Sequence, residues 1–368
     1  MRFSQFLRED ALELALPTDV RSAIIDKGGK IYQVGGAVRD EMLGKVSKDL
    51  DLLVVGIELK DLATLLTRFG KTNLVGKAFG IIKFVPDGAT EEIDISVPRI
   101  DSKSTGKGHK DFEVRLGKGI TLKQDQLRRD FWMNAIAKDI ETGEIHDIDK
   151  KGQTDIENQQ IRVIGSQAFK EDPLRMLRAV QFAARFGFTI ESETMKQIKK
   201  NVRLINTVSA ERFQDEFRKM FEKGTPSIGV DLLKETGILK KLFPRAKALF
   251  PVEYDKLDKK AFPAFLAVLL KGHKSIDIQK GLKLSNEDTN AVSDVLKYMA
   301  MRDVDSDLGL IRFVKSASKR GVENVNYILK AQRKIDIDYR LNSLRRVGKP
   351  TSLKELGLSG RDLIKMGI

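Results

Sequence analysis

Over the first 150 residues, apolar positions come in short runs, several of them alternating with polar ones. Beyond about residue 160 they recur every third or fourth residue. The first pattern is that of strands and the second that of helices. Residues 1–28 already show helical spacing at Phe3, Phe6, Leu7, Val20, Ile24 and Ile25, which predicts a helical lead-in. Strands are expected at 31–34, 51–55, 80–85 and 93–97. A hairpin is expected over 136–148, turning at Glu141-Thr142-Gly143. The Gly/Lys/Ser-rich stretch between Asp101 and Leu122 reads as a loop. Helices are predicted at 172–187, 192–201, 209–222, 226–236, 261–271, 286–300 and 307–318, separated by punctuation such as Lys223-Gly224-Thr225-Pro226 and Phe243-Pro244. The expected organisation is α+β: a lead-in (1–28), a mixed-sheet unit (29–155), a helical segment (156–225) and a further all-helical part (226–368).

Composition narrows the chemistry. At 368 residues, with 41% hydrophobic and 32% charged positions, the chain can bury more than one core. It has no cysteine, which excludes disulfides and thiolate metal sites. Its three histidines, His109, His146 and His273, are scattered, so a zinc centre is not expected. Any metal would rest on carboxylates, and that favours a hard ion such as Mg²⁺. The net charge of +14 points to a polyanionic partner, nucleic acid above all. No apolar run is long enough to span a membrane and no signal-peptide core is seen, so a cytoplasmic protein without membrane partners is expected.

Two features suggest where such a metal would act. Asp49-Leu50-Asp51 runs into Leu52-Leu53-Val54-Val55, so two carboxylates would project from the same face of a buried strand. Like charges that close are uncomfortable without a cation between them. Upstream, Gly35-Gly36 follows the apolar run 31–34 and would let backbone N–H groups approach an anion at a strand-to-helix turn. A phosphate cradle beside an acid pair suggests phosphoryl or nucleotidyl chemistry.

Two more segments bear on it. In Leu127-Arg128-Arg129-Asp130-Phe131-Trp132-Met133-Asn134-Ala135, charged residues sit among apolar ones and need polar partners. A nucleotide's triphosphate and ribose would supply them, and so would a structural ion-pair network. Further on, Glu171-Asp172-Pro173 opens a helix with Asp172 as its expected N-cap. On that helix Arg175, Arg178, Gln181 and Arg185 share one broad face, opposite Met176, Leu177, Val180, Ala183 and Ala184. Asp172 and Arg175 could offer fixed acceptors and donors to a base edge, or the helix could be a capped amphipathic one with solvated arginines.

Taken in order, these segments resemble the class II CCA-adding tRNA nucleotidyltransferases and their bacterial poly(A) polymerase relatives. The matching residues are Gly35-Gly36-Ala37-Val38-Arg39-Asp40 with Lys48-Asp49-Leu50-Asp51, then Arg128-Arg129-Asp130-Phe131 through Asn134-Ala135. Glu171-Asp172-Pro173-Leu174-Arg175-Met176-Leu177-Arg178 follows, with a weaker match at Ser209-Ala210-Glu211-Arg212 and Glu216. The resemblance implies a polymerase-β-like nucleotidyltransferase palm followed by an all-α neck, body and tail. It implies Mg²⁺ at Asp49 and Asp51, and Asp94, on the alternating run Ile93-Asp94-Ile95, is the candidate for a third catalytic acid. Gly35, Gly36, Arg39, Arg129 and Asn134 are the implied nucleotide contacts. Asp172 and Arg175 would read the incoming CTP or ATP, with Arg178 and Gln181 beside them, and the 3′ end of tRNA would be the acceptor.

Within that family, Gly76-Lys77-Ala78-Phe79-Gly80 and the loop 101–112 resemble the CCA branch. Poly(A) synthesis and partial CC- or A-addition are the enzymatic alternatives; a non-catalytic RNA-binding protein is the alternative of another class. Three departures stand out. Gln181 occupies a usual arginine position and Trp132 a usual small polar one. Residues 360–368 look like a shortened tail motif, which leaves Arg345, Arg346 and Lys349 as backbone-phosphate contacts. No His-Asp phosphohydrolase signature accompanies the motifs, so no phosphatase activity is expected.

Overall fold

The computed structural model describes residues 16–45, 50–75, 80–101, 114–247, 253–348 and 351. The chain divides into two compact units. The first holds Met1–Asp172 with Thr189–Thr194, and the second holds Pro173–Phe188 with Met195–Ile368.

In the first unit, helix α1 (Thr18–Asp26) leads into β1 (Lys30–Val34), α2 (Gly36–Met42), β2 (Asp51–Val55) and α3 (Leu59–Leu66). Then come β3 (Gly70–Val75), β4 (Ile81–Pro86), β5 (Ile93–Ser96), β6 (Arg99–Asp101) and β7 (Val114–Leu116). After α4 (Leu122–Leu127) follow β8 (Ala137–Asp139), β9 (Ile145–His146), α5 (Lys151–Glu157), β10 (Gln160–Ile161) and α6 (Ala168–Glu171). Seven strands form one mixed sheet in the order β3-β4-β5-β2-β1-β8-β9. Its single parallel pair is β2 with β5, joined by the crossover through α3, β3 and β4.

The period-2 patterning decides which face of this sheet is covered. Ile31, Leu52, Val54, Ile82, Phe84, Ile93 and Ile95 all point to one side, where Leu16, Val20 and Ile24 and, from α3, Leu62, Leu65 and Leu66 cover them. Each fully buried side chain of this kind contributes about 1.5–3 kcal/mol. The opposite face carries a smaller apolar cluster, Tyr32, Val34, Leu53 and Ala137. Next to that cluster, among the described residues, it is left open for polar residues.

The strands expected at 31–34, 51–55, 80–85 and 93–97 are present within a residue or two, and so is the 136–148 hairpin, with Asp139 N donating to Glu144 O at 2.9 Å. Strand β3 was not anticipated. It is a sheet edge whose residues are half-buried or exposed, so it carries no apolar alternation to read. The expected loop 101–122 is shorter than that, because β7 pairs antiparallel with β6 inside it. The remainder of that loop, residues 1–15, the segment 76–79 and the tail 352–368 lie outside the described residues.

The second unit is helical. It contains α7 (Leu174–Phe186), then, after β11 (Thr189–Ile190) and α8 (Ser192–Asn201), α9 (Ala210–Lys223), α10 (Pro226–Glu235) and α11 (Ile238–Leu242). Next are α12 (Phe262–Leu269), α13 (Ser275–Leu282), α14 (Asn286–Ala300), α15 (Asp307–Ser316), α16 (Lys319–Ala331) and α17 (Ile337–Arg346). All eight residues of α12 are buried, and α14 and α16 pack against it. Ser285, Ser306, Ser318 and Asp336 each cap a helix by accepting from a backbone N–H at 2.8–3.1 Å. No helix among the described residues is long and apolar enough to cross a membrane.

Helix α7 departs from the amphipathic expectation. Ten of its thirteen residues are buried, Arg175 and Gln181 among them, because α9 and α10 both pack on it. Its N-cap is Pro173, not Asp172: Met176 N donates to Pro173 O at 3.1 Å. Asp172 lies one residue earlier in an extended conformation, where it closes α6.

Candidate active site

Where β1 runs into α2, the chain makes the expected glycine turn. Gly35 has φ +71° and ψ −129°, a conformation that side chains resist, and it directly precedes the helix. A Cβ there would lie 2.9 Å from Nη1 of Arg129. One at Gly36 would lie 3.3 Å from Nη2 of Arg39. The absence of side chains is therefore what lets two guanidinium groups approach the turn.

Both arginines are braced. Arg39 is 3% exposed; its Nε and Nη2 donate to Asp40 Oδ1 at 2.9 and 2.7 Å, and its Nη1 donates to Asn134 Oδ1. The Asn134 amide in turn donates to Asp130 Oδ1 at 2.9 Å. Arg129 donates to Asn134 O at 3.4 Å and pairs with Asp125 at 2.9 Å, and Arg128 pairs with the same carboxylate at 2.6 Å. Asp125 is fully buried, which pushes its carboxyl up, but Arg129 and Arg128 outweigh that and hold it below its ordinary value. Gly35, Gly36, Arg39, Arg129 and Asn134 thus converge on this turn. The ion-pair network is present as well, so the arginine cluster answers to both descriptions.

The carboxylates lie on the open face of the same sheet. Asp51 opens β2, whose continuation Leu52-Leu53-Val54 is at most 1% exposed. In the parallel register Asp51 stands beside Asp94 of β5. Continuing the β1–β2 register by one residue puts Asp51 opposite Val34, immediately before the glycine turn. On the far side, Lys83 of β4 stands opposite Asp94, to which its Nζ donates at 3.2 Å, while also donating to Glu92 at 2.6 Å. Glu92 and then Asp94 hold the Lys83 ammonium above its ordinary value. Asp49 lies outside the described residues. Among the described residues, no group of three or more His, Cys, Asp or Glu side chains is placed to hold a metal ion. The donor set that is seen, two carboxylates on adjacent strands with one face open, has the hard-oxygen chemistry that a divalent ion such as Mg²⁺ needs.

The remaining expected residues belong to α7 and its start. Arg178 lies 3.6 Å from the buried Glu216 of α9, and its guanidinium sits 5.0 Å over the Phe182 ring. Lys219 donates to the same Glu216 oxygen at 3.0 Å. Gln181 is 2% exposed, and its Nε2 has no acceptor among the described residues; Oε2 of Glu216 has no donor there either.

Sequence reasoning missed Asp125, Lys83 and Glu92. Asp125 was legible in principle, since it precedes Arg128 and Arg129 by three and four residues on a helix turn. Lys83 and Glu92 were not, because their part depends on strand register.

Comparison with known proteins places the chain among similar sequences and folds. The profile described as "Poly A polymerase head domain" matches residues 31–162, and that described as "Probable RNA and SrmB- binding site of polymerase A" matches residues 187–250. A multifunctional CCA protein of Shewanella denitrificans is 37% identical over 271 residues, 72% of this chain and 59% of that protein. A CCA-adding enzyme of Pseudomonas entomophila is 36% identical over 60% of this chain and 57% of its own length. The chain therefore spans under two thirds of the curated relatives it matches. The CCA-adding enzyme of Bacillus stearothermophilus, solved in complex with CTP, superposes with a TM-score of 0.71 at 25% identity, covering 98% of this chain and 88% of that one.

Proposed function

The chain belongs to the tRNA nucleotidyltransferase/poly(A) polymerase family, and from that premise we propose that it adds C, C and A to tRNA 3′ ends. The substrates are CTP and ATP, the by-product is pyrophosphate, and the reaction depends on Mg²⁺. Residues 29–155 form the catalytic head, 156–225 a neck that reads the base, and 226–368 the body and tail that hold tRNA. The compartment is the cytoplasm. The observation that carries this reading is the convergence of the glycine turn, Arg39, Arg129 and Asn134 beside the Asp51–Asp94 pair.

Enzymes of this kind use a divalent ion, and here Asp49, Asp51 and Asp94 would hold Mg²⁺. Held there, it would supply the means to lower the pKa of the attacking 3′-hydroxyl and to offset charge on the leaving pyrophosphate. The chain's own groups do the rest. Backbone N–H groups after Gly35 and the guanidinium of Arg129 receive the triphosphate. Arg39, tied on both sides to Asp40 and Asn134, fixes the shape of that turn and of the segment that carries Arg129. Asp172 and Arg175 present an acceptor and a planar donor fork to the base, so no nucleic-acid template is required.

The deciding experiment offers tRNA ending at the discriminator base, at C and at CC, each with a single NTP, and sequences the 3′ ends. CTP should extend the first two and ATP only the third. Long A tails on unstructured RNA would replace this reading with poly(A) synthesis, and extension of the first two substrates alone, or of the third alone, would mean partial CC- or A-addition. Tight tRNA binding without incorporation would mean an RNA-binding protein.

A further inference from the structure

Side by side on three adjacent strands, Lys83, Asp94 and Asp51 form a row across the open face of the sheet. Two like charges at neighbouring positions of a parallel pair repel, and Lys83 brings a cation to the Asp94 side of the row. Lys83 engages Oδ1 of Asp94 from the β4 side, so it and anything bound between Asp94 and Asp51 draw on the same carboxylate. Its shorter bond, however, goes to Glu92, at 2.6 Å against 3.2 Å. The Lys83, Asp94 and Glu92 side chains are 34%, 43% and 44% exposed, so a hydrated cation can reach all three.

We propose that Lys83 is the internal counter-ion of the carboxylate row: it competes with the divalent ion for Asp94, and Glu92 is the seat it withdraws to when that ion binds. Lys83 is a positioning residue and not a ligand. The proposal rests on Asp94 being part of the metal site, as the reading above has it. Its consequence is a site kept deliberately weak in the free protein. Removing Lys83 strengthens ion binding instead of damaging it. Removing Glu92 weakens binding, because Lys83 then has Asp94 alone to pair with.

Mn²⁺ binding to the full chain without nucleotide, followed by electron paramagnetic resonance of the free ion, tests this apart from activity. Lys83→Met should bind Mn²⁺ about three- to five-fold tighter and Glu92→Gln weaker by a similar factor, the range set by exposed ion pairs. Lys83→Arg, which keeps the charge, should stay near the parent protein. The double variant discriminates the mechanism. If Glu92 acts as the seat for Lys83, Glu92→Gln has no further effect in the Lys83→Met background. An equal weakening in both backgrounds would mean only a long-range field and would overturn the proposal, as would unchanged or weaker binding by Lys83→Met. Asp94→Asn separates the two layers. If it weakens Mn²⁺ binding while Lys83→Met does not strengthen it, the counter-ion idea alone fails. If Asp94→Asn changes nothing, the metal-site reading fails and takes the proposal with it.

Discussion

The glycine turn of the first unit and helix α7 of the second both bury arginine among apolar residues, yet they settle their polar groups differently. Around the turn, the polar side chains answer one another. Arg39 is held by Asp40 and Asn134, Asn134 by Asp130, and Arg128 and Arg129 by Asp125. On α7 the amide of Gln181 and one oxygen of its neighbour helix's Glu216 are buried without partners among the described residues. A closed network is oriented before any substrate arrives, so binding costs little reorganisation. An open one is less stable as it stands and has hydrogen bonds still to make. The contrast separates a part of the molecule built for fixed geometry from one with room to adjust.

The sharpest way to break the comparison is at the acids that the turn serves. Asp51→Ala should lower single-turnover incorporation of CTP into tRNA on the order of a thousand-fold or more. The fluorescence of Trp132, the only tryptophan and a residue of the first unit, should melt as in the parent. Unchanged incorporation would remove Asp51 from the catalytic centre.

Next in size is Asp125→Ala. It leaves two arginines beside a void with no carboxylate, and stranding buried charge in this way costs about 3–5 kcal/mol. Urea unfolding followed through Trp132 should shift accordingly, and the KM for CTP should rise, because Arg129 loses the support that aims it at Gly35. A shift below about 1 kcal/mol would mean that the network is not closed in the sense argued here.

These two residues also mark how far the sequence could be read. The strand pattern, the glycine turn and the arginine motif were legible because each is local: alternation within five residues, a Gly-Gly after an apolar run, charged residues amid apolar ones. Edge strand β3 was not legible, since it is half-buried at most and carries no period. Asp94 could be singled out only weakly, from the alternation of Ile93-Asp94-Ile95. Its place beside Asp51 depends on a parallel pairing 43 residues apart in the chain, which no local rule encodes. The Asp172 cap failed for a different reason: Pro173 fits the first turn so well that it took the cap position itself. The one-faced picture of α7 failed because helical period reports where apolar residues lie, not how many neighbours will pack on the remaining side.

A smaller effect sits inside the first unit, at a pair less well balanced than the network around Asp125. Asp155 of α5 is fully buried and pairs with Arg162 at 2.8 Å. Burial pushes its carboxyl up from 3.8 to about 6, and Arg162 offsets only part of that. A raised acid favours the neutral form in the fold. Its stabilising share is therefore complete below the ordinary value of 3.8 and is lost as pH rises through about 6. Against Asp155→Asn, which stays neutral, the parent should lose melting temperature between pH 4 and pH 7 and keep a constant gap above that. A gap that does not change with pH would show that Arg162 fully compensates the charge.

The smallest effect, and the most telling for the comparison, is at Gln181. An unpaired buried amide costs about 1–3 kcal/mol, and methionine fills a similar volume without the donor. Gln181→Met should therefore melt slightly higher than the parent when free, as seen by far-ultraviolet circular dichroism of the helices. If the open hydrogen bonds of α7 are kept for the substrate, CTP must raise the parent's melting temperature more than the variant's, reversing or closing the gap. An equal gain in both proteins would leave Gln181 as a plain packing flaw and would make α7 no more adaptable than the turn. A lower melting temperature for the free variant would mean that its amide already has a partner, and the contrast between the two regions would fall with it.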